Sequence, residues 1–156
     1  MLSILATLQA GIFFLYAWYI YKRFGVLKSI STSSYHLPHN ENWMFSVALF
    51  LTGILQFPIV IMYDLPTLLF YPALGLWYTG FTVNHRKGAD MGIHYVGVIS
   101  AIIVQYLIYI ISFGLWTPAI LAGIVAIVMW LFIDENLVWW VELEVMLFVW
   151  LGYMLI

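Results

Sequence analysis

A chain of 156 residues that is 65% hydrophobic and only 8% charged is not built for water. A soluble domain carries roughly 25% charged residues, whereas five basic and seven acidic side chains serve this one, with a mean hydropathy of +1.04. That balance makes lipid the solvent, excludes a soluble enzyme, a basic nucleic-acid binder and a disordered chain, and the lack of cysteine excludes disulfides and thiolate metal sites.

A bilayer core about 30 Å thick takes roughly 20 apolar residues per helix, and six such runs follow in order. The first covers about Ile4 to Tyr21 and stops at Lys22-Arg23; the second covers Trp43 to Met62. The third runs from Pro66 to Val83, the fourth from Met91 to Phe113, the fifth from Pro118 to Ile133 and the sixth from Leu137 to Ile156. Strands of a membrane barrel would alternate in polarity over about ten residues, and no run does. The expectation is an all-α integral membrane protein, a single domain over 1–156 built as a bundle of six transmembrane helices. The first run lacks a basic leader and a small-residue cleavage site, so it is expected to stay as a span.

Local punctuation agrees with these limits. Pro38 and Asn40 offer a stop and a cap before the second run, and Tyr63-Asp64-Leu65-Pro66 suits a tight reversal. Asp90 is placed to cap the fourth helix and Thr117-Pro118 to open the fifth. Asp134 and Glu135 stand where the positive end of the sixth helix dipole would favour them. All five basic residues, Lys22, Arg23, Lys28, Arg86 and Lys87, fall in the first and third connections. With six spans these share a side, and the positive-inside rule makes it cytoplasmic. Both termini are then non-cytoplasmic, and the protein is a multi-pass protein of the cell membrane.

The one connection longer than a turn is the cytoplasmic loop at about 22–42. Its serines and Thr32 suit turns, which favours a solvated loop; Val26, Leu27, Ile30 and Tyr35 would also let it lie along the headgroups. The sharper reading is a loop that folds back over the mouth of the bundle.

Ionisable groups inside a span are costly and by default mark a site. His94 lies one turn into the fourth helix; Glu142 and Glu144 lie roughly 9 and 12 Å along the sixth, at about 1.5 Å per residue. Both helices start on the same side, so His94 and Glu142 share a depth and can pair. Glu142 and Glu144 are about 200° apart around the helix. If one faces the interior, the other faces lipid, headgroups or a second copy, which is the hint of a homo-oligomer. His94, Gly97, Ala101, Gln105 and Ser112 form a small-and-polar stripe, matched by Ser46, Gly53 and Gln56 in the second helix and Gly75, Thr79 and Thr82 in the third. Such stripes serve close helix packing; they also suit a polar cavity ending at His94 and Glu142, with Gln56, Gln105 and Glu144 as further ligand- or proton-binding candidates.

Trp18, Tyr19, Tyr21, Trp43, Trp139 and Trp140 suit a cytoplasmic aromatic belt, and Tyr63, Trp116 and Tyr153 the outer one. A metal needs three or more converging ligands; His36, Asp90 and His94 are the candidates, and neither a metal nor another cofactor is expected. Nucleotide-binding loops are absent.

The run Ser29-Ile-Ser-Thr-Ser-Ser-Tyr-His-Leu-Pro38 after a first span, with Ile93-His-Tyr-Val-Gly97 in the fourth, resembles small uncharacterised polytopic membrane proteins of bacteria and their phages. The resemblance covers the layout of the whole chain and implies no known activity. A more distant similarity is to membrane-embedded hydrolases such as ceramidases and adiponectin-type receptors. Those combine a Ser, an Asp and a late His-x-x-x-His, and this chain has no histidine in its last two runs. Three functions therefore compete. One is binding or transport of a proton or small ligand at His94 and Glu142. Another is a non-enzymatic effector or assembly protein acting through helix–helix contacts. The third is a metal-dependent lipid hydrolase using Ser33 or Ser34, His36, Asp90 and His94.

Overall fold

The computed structural model describes residues 1–81, 89–133 and 135–156, and for 89–95 the backbone alone. The described residues are helical, without a strand. In chain order they form α1 (Leu2–Phe24), α2 (Ser33–His36), α3 (Trp43–Ile54), α4 (Gln56–Met62), a 3₁₀ turn at Thr67–Leu69, α5 (Phe70–Phe81), α6 (Ala89–Phe113), α7 (Trp116–Phe132) and α8 (Leu137–Leu155). Four stretches are long and apolar enough to cross a membrane: Leu2–Phe24, Trp43–Met62, Val96–Phe113 and Leu137–Leu155. Trp116–Phe132 is apolar but shorter.

Helix ends depart from the expected limits for local reasons. Lys22 and Arg23 leave the apolar run but not the helix, because long side chains tolerate a helical backbone; α1 ends only at Gly25, whose φ of 76° suits a residue without Cβ. Pro58 has no N–H for the carbonyl of Ile54, and the second run breaks there into α3 and α4. Asp64, at φ 48°, carries the left-handed turn that lets Leu65 N–H reach Val60 O at 3.0 Å. The cap of α7 is Leu115 rather than Thr117, and Pro118 still falls in the first turn, where no N–H is missed. The cap position of α3 is Asn42, not Asn40, and that of α8 is Asn136 at φ 59°; no acidic residue lies in the first turn of α8. Asp134, Thr82, His85, Arg86 and Lys87 lie outside the described residues, and Asp90 and His94 outside the described side chains.

The perimeter is apolar. Leu15, Ile61, Phe81, Ile111, Trp130 and Phe132 are all exposed, far beyond the apolar patches a soluble monomer shows. Inside, two apolar clusters occupy opposite ends. Phe13, Tyr16, Ile20, Ile30, Phe45 and Trp139 fill the end near the 25–42 loop, and Ile59, Leu69, Ile108, Tyr109 and Tyr153 the other. Trp139 and Tyr153 are therefore core residues rather than belt residues, at 2% and 1% exposure. Periodicity places both on the face of α8 that packs inward.

Small residues set the helix spacing. A Cβ on Gly75 would meet Ala101 Cβ at 2.8 Å and Gly97 O at 3.1 Å, so α5 and α6 touch backbone to backbone. Gly80 lets Ser46 Oγ donate to its carbonyl at 2.7 Å, joining α3 to α5. Ser112 does not share this role; it is exposed near the end of α6.

Candidate functional site

The 25–42 loop folds back onto the helices instead of lying in solvent. Ile30 and Leu37 enter the apolar cluster, and Ser29, Ser33 and Ser34 are buried beside them. Burial obliges those hydroxyls to find partners. Ser33 Oγ and Tyr16 Oη are 2.6 Å apart, Ser34 Oγ donates to Ser31 O at 3.0 Å, and Ser29 and Thr32 bond each other at both backbone and side chain. The Asn42 amide, with its nitrogen toward the loop, donates to the carbonyls of Ser34, Leu37 and Pro38 at 2.9, 2.9 and 3.1 Å. An ion pair between Arg23 and Glu41, shared with Tyr19, closes the loop on its outer side and holds the Glu41 carboxyl below its ordinary range.

Glu142 is where this loop meets α8. Its carboxylate accepts the Ile30 backbone N–H and, at 3.4 Å, the Ser31 hydroxyl. The sequence offered the His94 side chain as its partner; the described partner is the loop, one of whose amides needs an acceptor where the chain passes out of water.

Glu144 is the second glutamate of α8. It is buried, at 5% exposure. Both glutamates are thus covered within the single chain, Glu142 by the loop and Glu144 among the helices. Glu144 Oε1 and the Tyr106 hydroxyl are buried atoms with no hydrogen-bond partner among the described residues.

Halfway down, a polar layer separates the two apolar clusters. Gln9 Nε2 donates to Thr52 O at 3.0 Å and to Gln56 Oε1 at 2.9 Å. Gln56 Nε2 donates to Tyr153 Oη, which Gln105 Nε2 also reaches at 3.3 Å. Tyr109 Oη donates to Val149 O at 2.8 Å and ties α6 to α8. Gln56 and Gln105, expected from their helix stripes, are thus brought together. Gln9 and Tyr153 were not expected. Gln9 stands alone in its helix without a stripe, although an amide inside an apolar run is itself a signal.

Between this layer and Glu142 lies a cavity of about 110 Å³, room for several water molecules at roughly 10–15 Å³ each. Gln9 and Phe13 of α1, Phe45 and Leu49 of α3, Gln56 of α4, Leu76 and Thr79 of α5, Val98, Ala101 and Gln105 of α6, and Glu142, Val145 and Val149 of α8 line it, with Ile30 and Ser31 closing the loop end. From Glu142 to Val149 it follows α8 for roughly 10 Å. Its walls are mainly hydrocarbon with a few convergent polar groups, the usual make-up of a binding site.

The described hydrolase candidates have other partners. Ser33 bonds Tyr16, Ser34 bonds a carbonyl, and the His36 ring leans on Phe24 at 6.0 Å. Among the described residues no three His, Asp or Glu side chains converge on a metal position. Comparison of the chain with protein-family models, curated proteins and solved structures returned no match.

Proposed function

We propose that the chain is a six-span protein of the cell membrane that binds a proton or small ligand in this intramembrane cavity and passes it toward the loop side. Residues 22–42 face the cytoplasm in this reading, and both ends of the chain the opposite side. One observation carries it: a cavity with a carboxylate at one end and buried amides at the other, inside helices whose outer faces are apolar. Trp116–Phe132 is an apolar helix shorter than a full span, and α5 is shorter still; in this reading the bilayer thins locally around both. His94, one turn before the lining residue Val98 on α6, is kept as the proposed partner of Glu142.

The absence of cysteine makes the test clean. Single cysteines at Ala101 and Val145 face the cavity, and those at Leu15 and Ile111 face outward. In proteoliposomes a small water-soluble thiol reagent is expected to modify the first pair and spare the second. An impermeant reagent should reach Lys28→Cys and Gly114→Cys from opposite sides. Equal reactivity of the two pairs would overturn the cavity as a binding site, and labelling of both loops from one side would overturn the topology.

A further inference from the structure

Each of two helices carries a polar residue of the cavity and, close by, a polar residue outside it. Tyr106 follows Gln105 on α6, and Glu144 stands two residues after Glu142 on α8. Gln105 and Glu142 line the cavity, whereas Tyr106 and Glu144 do not. The second pair is nonetheless deep in protein. Glu144 is 5% exposed, and both its Oε1 and the Tyr106 hydroxyl are sealed from solvent.

Neither atom has a hydrogen-bond partner among the described residues. The two groups are neighbours all the same: the Glu144 carboxyl lies near enough to act electrostatically on the Tyr106 phenol. Their helices are joined about one turn beyond Tyr106, where Tyr109 donates to Val149 O at 2.8 Å and lays its ring against Gly152. That tie holds α6 and α8 at a set spacing, across which the phenol and the carboxyl make no direct hydrogen bond. Buried polar atoms of native proteins find their partners in protein or in ordered water.

We infer that a single water molecule bridges Glu144 Oε1 and the Tyr106 hydroxyl, making a polar site between α6 and α8 that is separate from the cavity. Water suits this pair because it both donates and accepts. It can accept from the phenol and donate to the carboxyl oxygen, and two partners are the least that a buried water takes. A calcium or magnesium ion would call for about six oxygen ligands, more than these two side chains supply. The site stands apart from the cavity, and its water is held whether or not the cavity binds a ligand.

The test is water-edited solid-state NMR of the full chain in lipid bilayers, with carbon-13 in the glutamate carboxyls, tyrosine rings and leucine methyls. Magnetisation from water should reach Glu144 Cδ and Tyr106 Cζ and miss Leu107 and Leu147, which are exposed on the same two helices. Tyr106→Phe removes the hydroxyl and keeps the ring. It should weaken the Glu144 transfer by about half, because the water then keeps one of its two named partners. Val98→Phe, which fills the cavity, should dim Glu142 and leave Glu144 unchanged. Glu144 and Tyr106 signals that both stay dark in the parent chain would overturn the water. A Glu144 signal untouched by Tyr106→Phe would overturn the bridge. One lost with Val98→Phe would assign the water to the cavity and overturn a separate site.

Discussion

Gln56→Leu is expected to be among the most damaging single changes in the chain. Gln56 is 2% exposed, accepts from Gln9 and donates to Tyr153, so it joins α1, α4 and α8 through one side chain. Leucine matches its volume but leaves a Gln9 donor unpaired and takes one of the donors from Tyr153. Interhelical hydrogen bonds in membranes average only about 0.6 kcal/mol, because a helix separated in lipid finds other partners. Here two bonds are lost together and a buried donor is orphaned, which brings the expected cost to about 2 kcal/mol. Unfolding by graded denaturing detergent measures it directly. A variant as stable as the parent would mean that the amide layer does not hold the helices together.

Gly152→Leu is the second large effect, and Gly123→Leu is its control. A Cβ at Gly152 would run into the Tyr109 ring. That ring cannot yield: it is fully buried, its hydroxyl is held by Val149 O, and it meets Tyr153 edge-on at 5.6 Å. Overpacking of this kind costs about 1–3 kcal/mol, and the upper end is expected because the collision falls where α6 and α8 are tied. Gly123, on the outer face of α7, has nothing within 4 Å of an added Cβ. Leucine there is expected to stabilise by about 0.5–1 kcal/mol through helix propensity. The same substitution should thus move the unfolding midpoint down in one helix and up in the other. Two equal effects would contradict the packing of α6 on α8.

Why the sequence announces its helices but only part of its site follows from the kinds of signal involved. Hydropathy runs and proline positions are local, and the helical limits lie within a few residues of them. The departures, such as α1 continuing through Lys22 and Arg23 or α7 starting at Trp116, depend on which residue the backbone can close upon. Gln56 and Gln105 were legible because each sits on a stripe of small or polar residues. Tyr153 was not, since a tyrosine near a helix end reads equally well as a belt residue until its neighbours are known. Glu144 shows the same gap. Its angle from Glu142 is a property of one helix, but whether that direction meets lipid or another helix is a property of the assembly.

The loop follows the second of its two readings, folded back onto the helices. Five hydroxyl residues in a short segment suggest solvent, yet they are drawn inward, because Ile30 and Leu37 carry them into the core and each hydroxyl then finds a local acceptor or donor. Glu142 gains a structural duty in consequence: it receives an amide from the loop that closes the cavity over it.

The most direct measurement of the central claim is water-edited solid-state NMR of the chain in lipid. Magnetisation transferred from water should reach the side-chain amides of Gln9 and Gln105 and the carboxyl carbon of Glu142. Leu8, Ile103 and Leu107, exposed on the outer faces within two residues of Gln9 and Gln105, should receive it only from lipid. Glutamine amides that stay dark to water, with signal confined to the 25–42 loop and the helix ends, would contradict a polar cavity inside the bundle.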